Sequence, residues 1–78
     1  MTNNGILTLG TGTLDSDVSG NGSTVIAGAV ISNASIANAI TIDGSNSLTI
    51  SASNVGGKVT NGGTLKLTGG TSESGTVT

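Results

Sequence analysis

This chain of 78 residues carries 19 Ile, Leu or Val and neither an aromatic residue nor a cysteine, which allows one domain with a thin core and excludes disulfides and thiolate metal sites. Its six formally charged residues sum to −2, leaving no basic footprint for nucleic acid, no polybasic membrane patch and no run long enough to insert into a bilayer. Without histidine or cysteine, neither a Ser-His or Cys-His nucleophile nor the usual zinc site can be built, so the sequence points away from an enzyme and implies no cofactor.

Gly, Ser, Thr and Asn supply 46 of the residues, a bias that would mean disorder if the apolar residues were scattered without period. They are not. A six-residue period opens at Met1, Leu7 and Thr13 and loses one residue. It then runs through Val18, Thr24, Val30, Ile36, Ile42, Leu48 and Asn54, loses another, and ends at Val59, Leu65, Thr71 and Val77. Two positions before these slots the residue is usually small, as at Gly5, Gly22, Gly28, Gly57, Gly63 and Gly75, with Ile40 the exception.

Strand–turn–strand units recur along this frame. Met1–Leu9 is the first, a looser one begins at Val18, and Ile42–Ile50 and Val59–Leu67 follow, with Val77–Thr78 opening another. Residues two apart in a strand point to the same side, so each slot and the small residue before it face inward. The small residue suits a tight corner, where glycine also permits positive φ. Gly12, one residue before a slot, is expected to face outward. Three six-residue faces make a coil of about 18 residues. The expected fold is therefore a single all-β domain over 1–78, a triangular parallel β-solenoid of four to five coils.

Other patterns compete. Helix is disfavoured, because apolar residues do not recur at three and four and glycine and β-branched residues abound. Residues 29–38 also show a five-residue rhythm, which suits a square pentapeptide coil but is confined to that segment. An antiparallel sandwich could use Asn4-Gly5, Asn21-Gly22 and Asp43-Gly44 as hairpin turns, without requiring the six-residue period. A flat stacked amyloid fits the low charge, but steric zippers disfavour this much glycine.

The run Val59-Thr-Asn-Gly-Gly-Thr-Leu-Lys-Leu-Thr-Gly-Gly-Thr71 and its echo at 1–13 resemble the glycine- and threonine-rich passenger repeats of bacterial autotransporters and related surface adhesins. The resemblance implies a β-helix displayed outside a bacterial cell, with a cell-surface ligand as partner. The aromatic-girdled membrane barrel of that family has no counterpart in this sequence, and neither does a signal peptide.

Candidate chemistry is sparse. Asp15-Ser16-Asp17 has the spacing of half a calcium site or of a polar, solvated corner, and Glu73 falls at the equivalent of Asp15 when the two ends are superposed. The glycine pairs are followed by strand, whereas a phosphate loop needs a helix. Hexapeptide coils occur in acyltransferases, but their catalytic histidine is missing. Asn21-Gly22-Ser23 and Asn33-Ala34-Ser35 match a glycosylation sequon that an Asn- and Ser-rich chain produces easily. Thr11-Gly12-Thr13 and Thr76-Val77-Thr78 are Thr-x-Thr pairs of the kind that ice-binding faces stack. Asn3, Asn21, Asn46 and Asn61 fall near corners, where side-chain amides could hydrogen-bond along the coil axis.

The remaining expectation concerns assembly. Solenoids bury a continuous core only where coils have neighbours, and neither end of this sequence carries a proline or a charge cluster to block edge pairing. The expected interface comprises Met1, Thr2, Asn3, Asn4, Gly5 and Leu7 at one end and Gly75, Thr76, Val77 and Thr78 at the other, with Val77–Thr78 resting against Met1–Thr2 of a second copy. The leading reading is thus a self-assembling extracellular filament subunit whose partner is itself. An adhesin fragment is second and an ice-binding solenoid third.

Overall fold

Short β-branched and leucine-rich segments separated by glycine and asparagine corners favour strands too brief to fold back on themselves, so each finds its partner one coil away. The computed structural model describes residues 1–51, 54–73 and 75–78. Among these, the strands are β1 (Ile6–Leu9), β2 (Gly12–Leu14), β3 (Ser23–Ile26), β4 (Ala29–Ser32), β5 (Ala39–Ile42), β6 (Ser47–Ser51), β7 (Asn54–Val55), β8 (Val59–Asn61), β9 (Thr64–Thr68) and β10 (Ser72–Glu73). All pair in parallel. The protein is a parallel β-solenoid, not an antiparallel sandwich.

Three faces result. The first stacks β1-β3-β5-β8 and the second β2-β4-β6-β9. The third is built from bridges, Thr2 to Ser19 and Val18 to Ile36 to Val55, and from the β7–β10 pair. Alternation along each strand sends one set of side chains inward. On the first face the inward columns are Leu7–Thr24–Ile40–Val59 and Leu9–Ile26–Ile42–Asn61. On the second they are Gly12–Val30–Leu48–Leu65 and Leu14–Ser32–Ile50–Leu67. Val18, Ile36 and Val55 fill the third face. In the middle coils Ile26, Ile36, Leu48, Ile50, Val55 and Val59 are fully buried, each removal from water contributing about 1.5–3 kcal/mol.

The strict six-residue frame fails where corners differ in length. Thr24 stacks on Ile40, and Ile42 stacks on Ile26, so Ile40 occupies the slot expected of Ile42 and its apparent exception disappears. Likewise Gly12, not Thr13, aligns with Val30. Val55, not Asn54, aligns with Ile36, and Glu73, not Thr71, aligns with Val55. Glu73 therefore does not correspond to Asp15. The long corner after Ile42 is an Asp43–Asn46 turn closed by Asn46 N–H to Asp43 O at 2.9 Å, with Gly44 at φ 45°, a left-handed conformation that suits glycine.

The small corner residues also work differently from expectation. None of Gly22, Gly28, Gly57, Gly63 or Gly75 has a positive φ. A β-carbon at any of them would instead fall within 3.0 Å of the backbone of the preceding coil: Gly5 O for Gly22, Thr11 N for Gly28, Asn38 O for Gly57, Asn46 O for Gly63 and Gly57 O for Gly75. The constraint is the spacing between coils, about 4.8 Å, and not crowding of the interior.

Candidate assembly surfaces

The two ends of the solenoid are where its regular packing is interrupted. At the first coil Leu7 and Leu9 are only half-buried and Met1 is 54% exposed, although their equivalents in the second and third coils are buried. Gly12 takes the inward position that Val30, Leu48 and Leu65 hold in later coils. A hollow of about 200 Å³ follows, lined by Leu9, Gly10, Thr11, Gly12, Thr13, Leu14 and Val30. At the last coil Leu65 is half-buried, while Leu67 and Val77 are 40% and 44% exposed.

Both ends are also ladder edges. Gly5 O and Leu9 O accept from Ser23 and Ala27 of the second coil. Successive residues of a strand aim their backbone groups to opposite sides, so Ile6 and Thr8 present theirs away from the molecule. At the other end Thr78 N–H donates to Val59 O at 2.9 Å and Thr78 O accepts from Asn61 at 2.8 Å, which leaves the groups of Val77 facing outward. Such edges are templates for another strand.

The structure gathers Met1, Thr2, Asn3, Asn4, Gly5 and Leu7 in the first coil and Gly75, Thr76, Val77 and Thr78 in the last, two sets at opposite ends. Within them the faces are split. Thr2 pairs on the third face with Ser19, whereas Val77 pairs on the first face with Val59. Val77 is thus the counterpart of Leu7, and Gly75 that of Gly5.

Several polar groups serve the corners. Asn3 Oδ1 accepts from Gly5 N–H at 3.2 Å, Asn61 Oδ1 from Gly63 N–H at 3.0 Å, and Glu73 Oε1 from Gly75 N–H at 2.6 Å. The other Glu73 oxygen, Oε2, is buried with no hydrogen-bond partner among the described residues. Asp15 Oδ1 accepts from Asn33 Nδ2 at 3.1 Å and Asp17 Oδ1 from Ser35 N–H at 2.9 Å, so both carboxylates tie the first coil to the second. Asn46 Nδ2 donates to Ile26 O at 3.2 Å, and Asn4 Oδ1 accepts from Asn21 N–H at 3.0 Å. The corner asparagines mainly bind backbone.

Asn38 is the buried polar residue that periodicity did not reveal. Its carboxamide lies inside the coil, where Nδ2 donates to Asn3 O, Ser19 O and Gly20 O and Oδ1 accepts from Asn3 Nδ2 and Thr24 Oγ1. The signal available in the sequence was the alternation Ile36-x-Asn38-x-Ile40, which puts all three on one side of an extended chain. Comparison with models of protein families, with curated proteins and with solved structures gave no match to the chain.

Proposed function

We propose that this chain is a structural subunit that polymerises head to tail outside the cell, each solenoid continuing into the next. The observation that carries this reading is the pair Gly5 and Gly10. Later coils place Gly22, Gly57 and Gly75 where Gly5 stands, and Gly28 and Gly63 where Gly10 stands, and each of these five is confined by the backbone of a preceding coil. At Gly5 and Gly10 nothing lies within 4 Å of a β-carbon. Their glycine character has no cause within one molecule and has one as soon as another coil lies against them. The half-buried Leu7 and Leu65 and the open ladder edges supply the burial and hydrogen bonding for that contact, and a contact between unlike ends propagates instead of closing.

Negative-stain microscopy and sedimentation of the purified chain test this: fibres about one solenoid wide are expected. Gly5→Val and Gly10→Val should leave the fold intact and abolish them. Wild-type protein that stays monomeric at high concentration would remove the reading.

A second reading has one observation in its favour. Thr8, Val25, Thr41 and Thr60 stack in register on the outer side of the first face, an ordered array of hydroxyls and methyls of the kind an ice-binding surface presents. The neighbouring column, Ile6–Ser23–Ala39 with Lys58 next, is irregular and ends in a charge. Thermal hysteresis of the protein decides it.

A further inference from the structure

We infer that Asp43-Gly44 is a site of covalent self-modification, at which Asp43 converts to isoaspartate, and that the solenoid shields its Asn-Gly pairs from the same chemistry. In that chemistry the amide nitrogen of the following residue attacks the side-chain carbonyl carbon and closes a succinimide ring. A side chain on the attacking residue hinders closure, so glycine is the favoured neighbour. By sequence alone Asn4-Gly5, Asn21-Gly22 and Asn61-Gly62 should react first, because an amide is a better electrophile than a carboxylate, and Asp43-Gly44 should follow.

The structure reverses that order. A nitrogen whose N–H is committed to an acceptor must give up that bond before it can attack. Gly5 N–H donates to Asn3 Oδ1 at 3.2 Å, Gly22 N–H to Asn3 O at 2.9 Å and Gly62 N–H to Ile42 O at 2.8 Å. The last two bonds join one coil to the next, so they hold as long as the coils stay stacked. Asn46-Ser47 is closed in the same way by Ser47 N–H to Gly28 O at 3.1 Å. The other aspartates are also restrained. Val18 N–H, which follows Asp17, donates to Ser35 O at 2.9 Å, and the Asp15 carboxylate accepts from Asn33 Nδ2 at 3.1 Å ahead of the bulkier Ser16.

Asp43-Gly44 has none of these restraints. Among the described residues neither the Asp43 carboxylate nor the Gly44 N–H has a hydrogen-bond partner. Both residues are exposed, and a β-carbon on Gly44 would meet nothing within 4 Å, so packing does not oppose ring closure. Gly44 N bonds to Asp43 Cγ, and one carboxyl oxygen leaves with the amide proton and the acid proton as water. Water then opens the ring. Attack at Cγ restores aspartate, whereas attack at the main-chain carbonyl carbon routes the chain through Cγ and leaves the former main-chain carboxyl as the side group. One water leaves and one enters, so mass and charge are unchanged and no further reactant is needed. The corner gains one backbone atom beside Gly63, whose own β-carbon would stand 2.7 Å from Gly44 O, and the seat of the next coil is disturbed.

This chemistry needs no second copy, so it stands apart from the head-to-tail reading. The test is incubation of folded protein in warm neutral buffer, beside a sample in urea, until the urea sample has reacted. Peptide mapping with an endoproteinase that cuts before aspartate, and is blocked by isoaspartate, should show loss of cleavage at Asp43 in the folded sample, with Asn21 and Asn61 intact by mass. In urea Asn21 and Asn61 should react ahead of Asp43. Folded Asp43→Asn places an Asn-Gly pair at the open corner, and position 43 of that variant should deamidate well before Asn21 or Asn61 of the same molecule. Asn21 or Asn61 reacting as fast as position 43 in the folded variant overturns the assignment, and so does a folded wild-type Asp43 that stays cleavable after Asp43 in urea has become resistant.

Discussion

Asn38 and Asn3 stand 35 residues and two coils apart, yet Asn3 Nδ2 donates to Asn38 Oδ1 at 2.8 Å. The corner between the third and first faces explains how. In the first two coils it takes six residues to pass from Met1 to Leu7 and from Val18 to Thr24, but only four from Ile36 to Ile40 and from Val55 to Val59. The wide corners expose carbonyls of Asn3, Ser19 and Gly20 to the interior, and the first narrow corner sends up one carboxamide that binds all three.

Removing that carboxamide should be costly. Asn38→Ala removes the hydrogen bonds to Gly20 O and the Thr24 hydroxyl, while Asn3 O and Ser19 O keep the N–H groups of Gly22 and Asn3, and a buried polar group left unpaired costs about 1–3 kcal/mol. A loss of about 2–4 kcal/mol in urea unfolding is expected. Asn38→Asp keeps the shape but turns the donor into an acceptor facing carbonyls, and should be worse. A change below 0.5 kcal/mol in both variants would show that water replaces the amide without penalty.

Gly22 and Gly5 occupy the same corner in successive coils and should respond oppositely to valine. Gly22→Val drives a β-carbon into Gly5 O and Asn3 O, so at least the roughly 1–3 kcal/mol of an overpacked site should be lost. Gly5→Val meets open space and should leave the melting temperature of dissociated protein unchanged while preventing fibres. Equal melting temperatures for the two would contradict the packing between coils.

Leu48 and Leu7 offer a comparison of enclosed and open coils. Leu48 is 0% exposed, so Leu48→Ala should cost about 2–5 kcal/mol under all conditions. Leu7→Ala should cost clearly less in dissociated protein and approach that range in fibres, where a second copy covers it. Unfolding measured below and above the assembly threshold separates the two.

Charges placed on the end coils should cap the polymer. Leu7→Lys with Val77→Lys puts an ammonium at each open edge, the device by which sheet edges commonly avoid pairing. Soluble short species with a retained β-sheet circular dichroism spectrum are the expected result. Regular fibres from the double variant would rule out end stacking.

Glu73 should act as a brake on assembly. It stands over Val55 in an inward column, and Oε2 has no partner among the described residues, so a covering copy would bury the carboxylate further. Glu73→Gln retains an acceptor for Gly75 N–H and sheds the charge. If this relieves about 1.4 kcal/mol per contact, the critical concentration falls about tenfold. An unchanged or higher threshold would mean the carboxylate finds a partner in the fibre.

Much of the architecture was legible because aliphatic side chains mark flat faces: Leu7, Val30, Leu48, Val59 and Leu65 are separated by multiples of six or one residue fewer, and all point inward. The corners were less readable. Their residues are polar, and a corner two residues shorter, as between Ile36 and Ile40, leaves the hydrophobic alternation intact while shifting the positions up to the long Asp43–Asn46 turn, which restores the frame at Leu48. That shift misplaced Ile42 and hid Asn38, whereas the passage from the second face to the third, one residue longer from Leu48 to Val55 and two longer from Leu65 to Glu73 than from Val30 to Ile36, misplaced Asn54 and Thr71. Gly12 was misread for a related reason, since one residue fewer after Leu7 turned it inward. Gly22 was recognisable as a small residue, but its reason lies in the distance between coils, which no single coil's sequence contains.

The shared turn at Asn3/Gly5 and Asn61/Gly63 bears on how such a chain lengthens. One closing motif serves two different corners, so a duplication need not restore a whole coil to be accepted. A segment of one face and one corner, about a third of a coil, hands the strand to the next face with its alternation preserved.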